Sequence, residues 1–179
     1  MSEMTSHTTP PTIRHPSPLE YNWTVWNHLP LPFETDWSIN GYEPIISGID
    51  TVEMAVGICK SIPPILIQKS MLYFTKSHIN PLWEDKHNRR GGCFSYQIAN
   101  NLVVDIWTKM CYVLVGNTLS DDELCMKTIN GISVSPKKKF CIIKIWMSGC
   151  EFQDPSLITT AIPGLVAQGC LFKKHSPEY

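Results

Sequence analysis

Asn80-Pro81-Leu82-Trp83-Glu84-Asp85-Lys86-His87-Asn88-Arg89-Arg90-Gly91-Gly92 sets an indole beside a carboxylate, in a segment opened by Pro81 and closed by two glycines. Pro and Gly punctuate regular structure, so the segment reads as a surface loop between two elements. Core packing explains a loop Trp next to an acid poorly. Gripping a flat ligand with hydrogen-bond donors along one edge explains it well.

Outward from the loop the pattern turns regular. Ser70 to Thr75 reads as a strand before it and Cys93 to Ile98 as a strand after it. Further upstream, Tyr21 to Asn27 (with Trp23, Val25 and Trp26) reads as the first strand and Glu43 to Ile49 as the second. A loop from His28 to Asn40 separates them, with Trp37 near its end. Asp50-Thr51-Val52-Glu53 has capping-box spacing with Asp50 at the N-cap, which predicts a helix from Thr51 to the Ser61-Ile62-Pro63-Pro64 break.

Downstream, apolar residues at 103, 106, 107, 110 and 114 form one buried helical stripe that Gly116 ends. Ile129 to Ser135 and Phe140 to Met147 read as strands of a hairpin turned by Pro136-Lys137-Lys138-Lys139. Asp154-Pro155 opens a short helix, and Gly164 to Phe172 reads as a last strand. Strands outnumber helices, which fits an α+β fold with an antiparallel sheet and helices on one face. Residues 1–18, rich in Thr, Ser, Pro and His, read as a disordered tail. That leaves 19–179 as a single domain.

Fifteen basic residues against sixteen acidic ones argue against wholesale duplex binding, which needs a broad basic face. Seven cysteines, an odd count without a C-x-x-C pair, read as reduced thiols rather than a disulfide framework or a zinc site. No cofactor is expected. The first residues lack a signal peptide's apolar core and no apolar run approaches membrane-spanning length, so the expectation is a cytoplasmic protein without a membrane partner. Asn22-Trp23-Thr24 then has no use as a glycosylation acceptor.

Six tryptophans are many for this length. Trp23, Trp26 and Trp107 lie on strand or helix patterns and read as core. Trp37 and Trp83 lie in polar loops and read as ligand contacts. Two loop indoles can sandwich a base, each stacked face contributing about 1–3 kcal/mol, with about 0.5–2 kcal/mol more from cation–π attraction if the base is positive. Glu84, an acceptor only, suits a guanine edge that presents an N–H beside an amino group. Phosphates then need cations. Lys137, Lys138 and Lys139 at the turn, Lys144 on the next strand, and Lys173 near the chain's end are the candidates. Trp146 lies two residues from Lys144 and so on the same strand face.

These residues carry a family likeness. The chain resembles the translation initiation factor 4E family, the messenger-RNA cap-binding proteins. Pro18-Leu19 followed by Trp23 and Trp26 is similar to that family's opening pattern, with Ser17 where it has His. Pro81-Leu82-Trp83-Glu84-Asp85 with Asn88, Arg90, Gly91 and Gly92 matches its most specific segment. Asp50 to Glu53, Ile106-Trp107 through Gly116, and Ile145-Trp146 match three more, so the likeness runs from Pro18 to Phe172. It implies a curved antiparallel sheet of about seven or eight strands backed by three helices on the convex face, with the cap slot on the concave face. It implies that Trp37 and Trp83 sandwich 7-methylguanine, that Glu84 takes the N1 and N2 hydrogens, and that the Trp83 backbone N–H reaches O6. Trp146 then lies against the methyl group, and no bond is made or broken. The implied partners are capped mRNA and a 4G-like scaffold protein or a divergent equivalent, with the factor monomeric outside its complex.

The likeness has gaps. Ile132-Ser133-Val134-Ser135 lacks the family's phosphate-binding Arg, Ile142 stands in place of its Lys, and Cys93-Phe94 in place of Arg-Trp. On the partner-binding face, made by Leu19, Val52, Val56, Thr108, Lys109 and Tyr112, Val56 replaces a Trp and Thr108-Lys109 replaces Leu-Glu, reversing a charge. The alternative is therefore a cap-holding repressor that does not recruit the usual scaffold. A remoter one is an enzyme using Cys93 as nucleophile with His87, for which no third orienting group is evident.

Overall fold

The computed structural model describes residues 15–28, 36–159 and 161–176. Its centre is a seven-stranded sheet in the order β2-β1-β3-β5-β6-β4-β7. The strands are β1 (Pro18–His28), β2 (Glu43–Thr51), β3 (Met71–Lys76), β4 (Gly92–Ala99), β5 (Ile129–Pro136), β6 (Phe140–Met147) and β7 (Leu171–Lys174). Every pairing is antiparallel. The helices are α1 (Val52–Ser61), α2 (Pro64–Lys69), α3 (Val103–Val115) and α4 (Glu123–Thr128), with α2 and α4 six residues each. No helix among the described residues is long and apolar enough to cross a membrane.

Alternation along the strands sorts the sheet into two faces. Trp23 and Val25 of β1, Leu72 and Phe74 of β3, Ile132 and Val134 of β5, and Ile143 and Ile145 of β6 are buried in one core with Ile106, Trp107 and Met110 of α3. Fully burying a large apolar side chain contributes about 1.5–3 kcal/mol, so this layer holds the helices to the sheet. The α3 stripe is the expected one, widened by Cys111 and Val115.

Several expectations shift. Trp26 is not in this core but on the opposite face, packed against a smaller cluster of Tyr42, Tyr73 and Trp146. The N-cap of α1 is Thr51, whose hydroxyl accepts from Met54 N, because β2 continues through Thr51. Glu53 reaches instead to the backbone N–H of Ser17 at 3.0 Å. The last strand starts at Leu171, since Pro163-Gly164 and Gln168-Gly169, with both glycines at positive φ, are turns. Asp154 does cap a helical turn, a single 3-10 turn over Pro155–Leu157. Of the expected tail, 1–14 lie outside the described residues, and Pro18 already belongs to β1. Residues 29–35 of the His28–Asn40 loop also lie outside them. All seven cysteines are free, five of them buried.

Candidate functional site

The face away from the helices carries a ring-floored slot. Trp37 stacks on His28 with centroids 4.7 Å apart and planes 13° from parallel. His28 adjoins Tyr42 at 4.5 Å, Tyr42 adjoins Tyr73 at 5.3 Å, and Tyr73 adjoins Trp146 at 6.0 Å. Trp146 meets His175 at 5.1 Å. The rings come from β1, the segment leading into β2, β3, β6 and the residue just past β7, so only the assembled sheet creates the row. Burial, the largest cause, pushes the Tyr42 and Tyr73 phenols above their usual range, which keeps both neutral. The Trp146 indole N–H donates to Ser133 Oγ at 2.9 Å, fixing that ring in the floor.

Above this floor is a cavity of about 470 Å³. Trp37, Trp83, Glu84, Trp146, Lys137 and Lys144 all line it. Trp37 is 52% exposed and Trp83 42%, so two large indoles stand half-bare at one slot. Such a patch marks a binding surface more often than packing. Glu84 is exposed and has no ion pair among the described residues. Lys138, Lys139 and Lys173 are outside the lining.

The loop from Asn80 to Gly91 is held by polar side chains. Asp85 accepts from the backbone N–H groups of Asn80 (3.1 Å) and His87 (2.9 Å). Burial pushes its carboxyl up, but those bonds and the His87 ring outweigh it and hold it below the usual carboxylate range. Asn88 donates to the carbonyls of Asn80 and Leu82, and its own oxygen accepts from Asn130 of β5 at 2.9 Å. Gly91 has no room for a side chain, since a Cβ would collide with the Met147 carbonyl. Trp83 and Glu84 therefore project from a rigid mount.

Sequence reasoning missed the floor residues His28, Tyr42 and Tyr73, and also His175 and Asn130. The helix-side residues do come together: α1 packs on α3, with Val52 exposed and Val56, Thr108 and Tyr112 half-buried. Leu19 and Tyr112 lean on the core. The Lys109 ammonium is held by Asp105, one turn back, at 2.7 Å. Cys93 and His87 each have other partners. Cys93 is 3% exposed with its sulfur 3.8 Å from Ser95 Oγ, while the His87 ring bonds Asp85 and adjoins His78.

Residues 18–164 match the family model for eukaryotic initiation factor 4E, and the chain belongs to that family. It is 31% identical over 144 residues to eukaryotic translation initiation factor 4E of Candida albicans, covering 75% of this chain and 66% of that one. It is equally similar, over 141 residues, to initiation factor 4E-2 of Schizosaccharomyces pombe, covering 76% of this chain and 56% of that one. The chain thus spans less than two thirds of these relatives' length. The solved structure of Ascaris suum eIF4E-3 with m7G cap has the same fold, with a TM-score of 0.71 over 92% of this chain and 94% of that one at 19% identity.

Proposed function

We propose that the chain binds the 7-methylguanosine 5′ cap of messenger RNA in the slot and promotes translation initiation in the cytoplasm. The observation that carries this reading is the pair of half-exposed indoles, Trp37 and Trp83, at one cavity with the unpaired Glu84. Methylation at N7 makes the purine cationic, so electron-rich ring faces and a carboxylate favour it over plain guanine. Trp146 sits in the floor beneath the base, and Lys144 and Lys137 meet the phosphates. The relatives named above are initiation factors, and the Ascaris suum protein was solved with m7G cap. The binding unit is the single domain 19–179, monomeric outside its complex, and it makes and breaks no bond. Retention on immobilised 7-methyl-GTP, with release by free 7-methyl-GTP and not by GTP, tests it. Passage through the matrix would contradict it.

A second reading concerns the helix side. Lys109 is engaged by Asp105, and Val56 offers a small half-buried surface between α1 and α3. This favours a divergent scaffold partner, or a repressor role without one, over the usual 4G protein. Calorimetry with an ordinary 4G helical peptide tests this, and tight binding would refute it.

A further inference from the structure

A polyphosphate chain beside the bound base carries several negative charges, yet among the described residues Lys137 and Lys144 are the only lysines lining the slot. Ser133, Ser135 and Ile142, which also line it, bring no charge. The next ionisable group there is His175, just past β7. Its backbone N–H donates to the Gly91 carbonyl at 2.9 Å, and its ring packs 5.1 Å from Trp146. Its Nδ1 lies 2.8 Å from the Asn88 carbonyl, an acceptor only, so Nδ1 carries the hydrogen. Nε2 is then a lone pair in the neutral ring and an N–H donor in the protonated one. The Nδ1 bond is the same in both forms, so a proton can arrive at Nε2 without disturbing the anchor.

We propose that His175 is a ligand-contacting residue at the phosphate end of the slot, taking up a proton at Nε2 when a polyphosphate ligand binds. The inference rests on the cap-binding reading. Among the described residues, the charged groups that act on His175 are Lys144 of β6 and Glu84 of the Trp83 loop, and Lys173 and Lys174 precede it on β7. Burial first, then Lys144, lowers its pKa, while the Asn88 carbonyl and Glu84 raise it, and the balance lies below the usual histidine value. The free protein therefore holds a neutral ring at neutral pH. An arriving phosphate favours the imidazolium, so by linkage affinity rises as pH falls.

The test compares the methylated dinucleotide cap m7GpppG, whose bridging phosphates do not titrate in the window, with the 7-methylguanosine nucleoside. Any pH effect at the base-binding end is common to both ligands, so the ratio of their affinities isolates the phosphate end. Between about pH 7.5 and about pH 5.5 that ratio should rise about five- to tenfold in the native protein and stay flat in His175→Gln. His175→Arg should show the high ratio at both pH values. A flat ratio in the native protein, or an equal rise in His175→Gln, with the nucleoside still bound, overturns the His175 assignment alone. Failure of both ligands to bind overturns it together with the cap-binding reading.

Discussion

Asn130 donates its side-chain amide to Asn88 Oδ1 at 2.9 Å, a buried bond that ties β5 to the loop carrying Trp83 and Glu84. Asn130 also holds the His87 carbonyl at 2.9 Å, and Asn88 holds the Leu82 carbonyl at 2.7 Å. Two amides thus transmit the position of the sheet to the residues that line the slot.

Asn88→Ala strands those partners, and each buried polar group left without one costs about 1–3 kcal/mol. The melting temperature should fall by about 2–4 °C per kcal/mol for a chain of this size. Affinity for 7-methyl-GTP should drop as well, since Trp83 loses its mount. Scanning calorimetry and a binding titration on the same variant check both.

Trp83→Ala and Trp37→Ala each remove one stacked face, so each should weaken 7-methyl-GTP binding by about 1–3 kcal/mol, roughly five- to 150-fold. Trp26→Phe should matter much less. Trp26 lies on the same side of the sheet, but its N–H is spent on Thr75 Oγ1 at 3.0 Å and it is outside the slot lining.

Glu84→Gln keeps the shape and removes the charge. The preference for methylated over plain guanine nucleotide should shrink several-fold, because the carboxylate's charge, alongside the ring faces, favours a cationic purine. Competition between 7-methyl-GTP and GTP, run with both proteins, reads this directly.

Lys144 lines the slot and Lys138 does not. Lys144→Met should therefore weaken nucleotide binding and flatten its salt dependence, while Lys138→Met leaves both nearly unchanged. Titrations at two salt concentrations separate the two lysines.

Asp85 has a depressed pKa in the folded chain. Its bonds to Asn80 and His87 stabilise the fold above the unfolded value of about 3.9. That contribution is lost only as pH falls through the lower folded value. The melting-temperature gap between the native protein and Asp85→Asn should hold constant down to about pH 5 and close below the usual carboxylate range.

The Trp83 loop was legible because its signals are local: Pro81 opens it, Gly91 and Gly92 close it, and an acid follows the indole. Lys144 and Trp146 were legible as a pair because strands alternate. The floor was not. Tyr42, Tyr73 and His175 reach the slot only through the strand order, which brings the chain's last strand beside β4 and β3 beside β5. No periodicity along the chain records which strands become neighbours. Trp26 was misplaced for a related reason: a strand residue an odd number of places from Trp23 must face the opposite way, and here that side also holds rings. The late start of β7 followed from backbone geometry, since the positive-φ glycines 164 and 169 bend a segment whose composition alone looks extended.

Quenching of tryptophan fluorescence on titration with 7-methyl-GTP, set against GTP, tests the cap-binding account most directly. Strong saturable quenching by the methylated nucleotide, far weaker quenching by GTP, and loss of the response in Trp83→Ala are the predicted results. Equal affinity for the two nucleotides, or an undiminished response in Trp83→Ala, would contradict it.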